Sequence, residues 1–132
     1  MSCKFCELAK GGLPPHSIYE DDFCFAILDR RSLGRGHCML IPRRHVAFVY
    51  LLSTSETEKF FITAAALARR LQTALGVKSV GYASFGAGLH HAHLHLVPYD
   101  DAEVLLEPRK HLLTRTDTAP AKQAQELKSL GI

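Results

Sequence analysis

The run from His90 to Pro98, HHAHLHLVP, constrains the chain more than any other stretch. Within it His91, His93 and His95 alternate with Ala92, Leu94 and Leu96. Successive side chains of a β-strand point to opposite faces, so a period of two sorts these residues cleanly. On a helix the same spacing would scatter them around the axis. The run is therefore predicted to be the last strand of a sheet, ended by Pro98. One face, Ala92, Leu94 and Leu96, goes into the core. The other presents three imidazoles to a polar site. A single histidine on a strand is an ordinary structural residue, whereas three in register beside the glycine turn Gly86-Ala87-Gly88 are not. His90 falls on the opposite face and receives no role.

Two chemistries suit such a face. Neutral imidazole is a common metal ligand, and His-x-His on a strand offers two ligands side by side. Imidazole is also a competent nucleophile toward phosphorus, forming a covalent intermediate that divides one displacement into two. Neighbouring imidazoles then hold phosphate oxygens and move protons. The glycine turn suits the second chemistry, because backbone N–H groups with no Cβ beside them can approach an anion closely.

The 132 residues are read as one domain, with 47% hydrophobic and 22% charged residues, enough apolar material for a core. A net charge of +3 permits an anionic ligand, and no nucleic-acid motif accompanies it. The opening MSCKFCELAK has no signal-peptide apolar core, and no apolar run is long enough to span a membrane. The expectation is a cytoplasmic protein with no membrane and no nucleic-acid partner.

Residues 3–10 read as a short helix stopped by Gly11-Gly12 and Pro14-Pro15. HSIYEDD and FCFAILD read as two strands about an acidic turn, and HCMLIP as a third strand ended by Pro42. Ser53, Thr54 or Ser55 caps a long helix. Its stripe is Phe60, Ala64, Leu67, Leu71 and Ala74, and its stop is Gly76. SVGYASFGAG is a strand and glycine turn before the histidine strand. Residues 100–118 read as irregular, and a C-terminal helix opens near Pro120. The sum is an α+β fold: an antiparallel sheet of about five strands, one long helix on one face, and short N- and C-terminal helices. Arg30-Arg31 and Arg43-Arg44 could steer phosphates, but solvated surface is the reading preferred for both pairs.

At His91-x-His93-x-His95-Leu96-Val97 the chain resembles the histidine-triad (HIT) nucleotide hydrolases and transferases. CKFCELAKGGLPPHSIYEDDFCFAILD is similar to that family's opening, and GRGHCMLIPRRHV to its Gly-His segment, so three blocks match in order. The resemblance implies a single HIT domain over 1–132, with a core to residue 99 and a tail over 100–132. It implies a homodimer. It also implies attack at the α-phosphorus of a nucleoside phosphate: a phosphoramidate, an aminoacyl-adenylate or a dinucleoside polyphosphate. His93 matches the nucleophile, His95 a phosphate-contacting neighbour, and His91 the member that orients the nucleophile. Asp29 matches the acid that binds the ribose hydroxyls, since a carboxylate can accept from both. Phe5, Leu8 and Ile27 fall where the family places contacts to the base. Gly86, Ala87 and Gly88 stand where relatives carry polar side chains, so their backbone N–H groups take over the phosphate contacts.

Cys3 and Cys6 form a C-x-x-C with metal-ligand spacing, half of a site. The resemblance implies a structural zinc completed by His45 and His91. Two other readings are carried forward: a catalytic metalloenzyme with His91, His93 and His95 as ligands, and a nucleotide-binding regulatory protein with little turnover.

Overall fold

The computed structural model describes residues 3–85, 90–106 and 119–132. Helix α1 (Lys4–Gly11) leads into strands β1 (Ser17–Glu20), β2 (Cys24–Leu28) and β3 (Cys38–Pro42). A 3-10 turn (Val49–Leu51) precedes α2 (Thr54–Leu75); β4 (Ser79–Ala83) and β5 (Leu94–Tyr99) follow, then α3 (Glu103–Leu106) and α4 (Pro120–Ser129). The strands form one antiparallel sheet in the order β1-β2-β3-β5-β4. This is the α+β architecture anticipated, with a five-stranded sheet, one long helix and shorter helices near each end.

Local chemistry explains the elements. In the β1–β2 turn the Asp21 carboxylate accepts the N–H groups of Phe23 and Cys24, both at 2.7 Å, and the Tyr19 hydroxyl at 2.6 Å. These bonds hold the Asp21 carboxyl below its ordinary pKa despite the opposing effect of burial. Helix α2 opens on a capping box. Ser53 Oγ accepts the Glu56 N–H at 3.2 Å, and Glu56 Oε1 accepts the Ser53 N–H at 2.9 Å. It closes on Gly76, which adopts the left-handed conformation at φ 66°. Phe60, Ala64, Leu67 and Leu71 are buried as the apolar stripe predicts, against Ala92, Leu94 and Leu96 of the histidine run. The opposite face of the sheet carries a smaller cluster of Phe5, Phe25, Ile27 and Ile41, which α1 covers. The two faces of the histidine run thus separate as its alternation requires.

The last strand differs from expectation at both ends. Its pairing with β3 begins at Leu40↔Leu94. Two steps further, the same register would set Ala92 opposite Pro42, which has no N–H to give. The chain leaves the sheet there, and the Ala92 N–H goes to Val46 O at 2.7 Å. His91 and His93 therefore precede the strand. At the other end Pro98 continues the strand, pairing with Val80 of β4. It lies past the last β3 pair, Cys38↔Leu96, so its missing N–H leaves nothing unmet on that side.

Helix α4 packs Ala124 and Leu127 into the main core. Its Gln123 Oε1 accepts the Gly36 N–H at 2.7 Å, and its Glu126 pairs with Arg35 at 3.1 Å. The C-terminal helix thus braces the loop that leads into β3. The glycine turn 86–88 and the stretch 107–118 lie outside the described residues, and within the predicted irregular segment the described part holds the short helix α3. Among the described residues no helix is long and apolar enough to cross a membrane.

Candidate active site and metal centre

Asp29 follows β2 and His37 precedes β3, and the Asp29 N–H bonds to His37 O at 3.0 Å across the mouth of that hairpin loop. His95 stands on β5 opposite Met39. The three side chains meet at this end of the sheet. His37 Nδ1 accepts the Leu33 N–H at 2.9 Å. An imidazole nitrogen that accepts carries no proton, so a neutral His37 is protonated on Nε2. That Nε2–H donates to His95 Nδ1 at 2.9 Å. His95 therefore keeps its own proton on Nε2. Burial depresses both imidazoles, with Asp29 opposing the shift in each, and His95 falls to about 4. Both rings are neutral at pH 7.

His91 and His93 are fixed in their tautomers by backbone carbonyls. His93, buried, donates from Nδ1 to the His91 carbonyl at 2.9 Å, which leaves a lone pair on Nε2. Its own carbonyl accepts the Ser84 hydroxyl at 2.8 Å. Its ring lies 5.2 Å from that of His95, and Phe5 presses on both His91 and His93 at 5.6 and 5.8 Å in edge-to-face geometry. His91, fully buried, donates from Nε2 to Pro42 O at 2.7 Å, which leaves its Nδ1 lone pair free.

That lone pair faces the cysteines. Cys3 Sγ lies 3.3 Å from His91 Nδ1, Cys6 Sγ 3.5 Å, and His45 Nδ1 3.2 Å; Cys6 Sγ and His45 Nδ1 are 3.3 Å apart. Zinc–sulfur bonds near 2.3 Å and zinc–nitrogen bonds near 2.0 Å set tetrahedral ligands about 3.3–3.8 Å apart. Two thiols and two imidazoles at these separations fit a zinc ion, and the His91 tautomer is the one a metal needs.

Asp29, His37 and His95 also cluster, with Asp29 Oδ2 3.6 Å from His37 Nε2 and from His95 Nδ1. This set does not suit a metal, because the Leu33 N–H keeps the proton on the nitrogen His37 would have to offer. Among the described residues His91 groups with the cysteines and His95 with Asp29 and His37, and His91, His93 and His95 do not form a ligand set together. The arrangement gives no support to a catalytic metal held by the triad.

Beside the histidines, Phe5, Leu8, Ile27, Met39 and Asp29 line a cavity of about 310 Å³. It brings together the four residues expected to contact a nucleoside. His37 and Ser84 were not singled out in the sequence. His37 lay within the quoted Gly-His segment but carried no pattern of its own. Arg43 and Arg44 are structural: Arg43 bonds Asp21 O, Ala9 O and Glu20, and Arg44 clamps the Glu56 carboxylate at 2.7 and 2.6 Å.

The chain and its fold match known proteins. The HIT domain family model matches residues 10–102, and the chain belongs to that family. A crystal structure of a zinc-bound histidine triad family protein from Mycobacterium smegmatis superposes with a TM-score of 0.78 at 26% identity, covering 98% of this chain and 93% of that one. An adenylylsulfatase of Arabidopsis thaliana is 30% identical over 113 residues, which are 78% of this chain and 55% of the plant protein. An adenosine 5′-monophosphoramidase of Schizosaccharomyces pombe is 26% identical over 108 residues, 78% of each chain.

Proposed function

We propose that the protein is a nucleotide hydrolase or nucleotidyl transferase acting at the α-phosphorus of a nucleoside phosphate. The observation that carries this reading is the hydrogen bond from His93 Nδ1 to His91 O, which leaves Nε2 unprotonated and able to act as a nucleophile. The nucleoside lies in the cavity beside Phe5, Leu8 and Ile27, and Asp29 accepts its ribose hydroxyls. His93 Nε2 attacks phosphorus; the Nε2–P bond forms and the bond to the leaving group breaks with its electron pair. His95 donates its Nε2–H to the phosphate. Water then attacks phosphorus, the Nε2–P bond breaks, and the nucleoside monophosphate departs. In a transferase a second phosphate takes the place of water. The names of the plant and yeast relatives support phosphoramidates and adenylyl sulfate as first substrates to try.

Cys3, Cys6, His45 and His91 would hold a structural zinc, whose chemistry here is to tie the N-terminal segment to the histidine run. His91, held in that way, would keep in place the carbonyl that orients His93. Thiol ligands and the buried thiols of Cys24 and Cys38 suit the reducing cytoplasm. The chain forms a homodimer through α2 and the edge strand β4, where Phe61, Ile62 and Tyr82 are exposed. Light scattering of the wild type against Tyr82→Glu tests that assembly.

The catalytic test is a turnover panel of adenosine and guanosine phosphoramidates, adenylyl sulfate and diadenosine polyphosphates, with His93→Ala alongside. Release of monophosphate by the wild type, lost by about a thousandfold or more in His93→Ala, is the expected result. Binding of nucleotides with no turnover on any of them would favour the regulatory-protein reading.

A further inference from the structure

The nucleoside cavity has a charge that a nucleoside does not call for. Besides its apolar wall and Asp29, it is lined by Lys4, Arg30 and Arg31. Base and ribose are neutral, and Asp29 is the only carboxylate of that lining. Arg35, Arg43 and Arg44 all have carboxylate partners, Glu126, Glu20 and Glu56 respectively. Lys4, Arg30 and Arg31 form no ion pair among the described residues, although Arg31 lends its backbone N–H to Asp29 Oδ1 at 3.0 Å. Three cations without an ion pair among the described residues thus line the cavity that also holds Asp29. A concave wall of one charge sign concentrates its field on whatever enters. Guanidinium is suited to phosphate through paired N–H donors.

From this we infer that the preferred ligand carries a second anionic group: a phosphomonoester on the 2′ or 3′ hydroxyl of the ribose whose 5′-phosphate meets His93. Asp29 takes the remaining hydroxyl, and Arg30, Arg31 and Lys4 take the added phosphate. Arg30-Arg31, for which the sequence favours solvated surface over phosphate steering, becomes a specificity element because it directly follows Asp29. The inference rests on the proposed nucleotide site and narrows its substrate class.

The test is calorimetric titration of the full chain with adenosine 5′-monophosphate, adenosine 3′,5′-bisphosphate and adenosine 2′,5′-bisphosphate. One bisphosphate is expected to bind about tenfold or more tightly than the monophosphate, with a preference that shrinks as salt rises. In Arg30→Gln/Arg31→Gln, checked for an unchanged melting profile, the ratio of the two affinities should fall toward one. Equal affinities for all three ligands would overturn the inference while leaving the nucleotide site standing. So would a double variant that weakens all three alike, since that marks arginines stacked on the base. Binding of none of them would overturn the nucleotide site itself.

Discussion

His37 Nε2 stands 2.9 Å from His95 Nδ1, and the Leu33 N–H on the far side of the His37 ring decides which of the two nitrogens holds the proton. A backbone amide in the β2–β3 loop thereby sets the tautomer of a residue more than fifty positions away. On this account His37 is a positioning residue that acts on substrate only through His95. His37→Ala should lower kcat by about ten- to a hundredfold, with a much smaller change in KM. His37→Gln, which can still donate to His95, should recover part of the loss. Nitrogen NMR of the imidazoles gives the independent readout: the Nε2–H tautomer of His95 in the wild type, and a mixture in His37→Ala.

Metal loss is expected to act on stability first. Cys3→Ser removes one of four donors, and the variant should purify without stoichiometric zinc. A site that binds zinc only when folded stabilises the fold by about 4 kcal/mol when free metal is a thousand times Kd. Chelation of the wild type should therefore lower Tm by several degrees, and added zinc should restore it. Metal analysis with thermal melts checks both. Unchanged metal content in Cys3→Ser would remove the cysteine site from the account.

The neutral histidine pair makes stability depend on pH in one direction. His37 and His95 are both depressed in the folded state, His95 to about 4, from an ordinary value of 6.5. Between those values the unfolded chain binds more protons than the folded one, so stability rises with pH there. It is fully present above about pH 6.5 and is lost progressively as pH falls toward 4, at up to about 1.4 kcal/mol per pH unit for each proton taken up. Melts from pH 7.5 to 4.5 should show this slope, and His95→Asn should flatten it.

Gly36 offers a steric test next to the same pair. It adopts φ +84°, and a Cβ there would stand 2.6 Å from Leu75 Cδ1 and 3.2 Å from Pro98 Cγ. Gly36→Ala combines left-handed strain with overpacking, each costing about 1–3 kcal/mol. Its neighbour is His37, so activity should fall along with Tm. Gly76 provides the contrast: it also has positive φ, but a Cβ there meets nothing within 4 Å. Gly76→Ala should lower Tm by less and leave activity in place.

Much of this was readable from residue spacing. The period of two at His91–Leu96 separated a core face from a histidine face, and the stripe from Phe60 to Leu71 placed the long helix. Cys3 and Cys6 marked half of the Cys3, Cys6, His45 and His91 cluster. The strand limits were not readable, because they depend on partners distant in sequence: Pro42 ends one ladder, and the short reach of β3 lets Pro98 continue another. His37 escaped notice for the same reason, since its importance lies in contacts to Leu33 and His95 and not in any periodicity. Phosphate steering by Arg30 and Arg31 could not be told from ordinary surface charge until both were seen to line the same cavity as Asp29.

The central claim is that His93 carries the nucleotidyl group. Rapid mixing with adenosine 5′-phosphoramidate, a quench that preserves phosphoramidate bonds, and mass spectrometry of the digested protein test it most directly. The account predicts an adenylyl group on the peptide bearing His93, formed within the first turnover and missing in His93→Ala. Turnover that persists in His93→Ala, or an adduct on another residue, would contradict it.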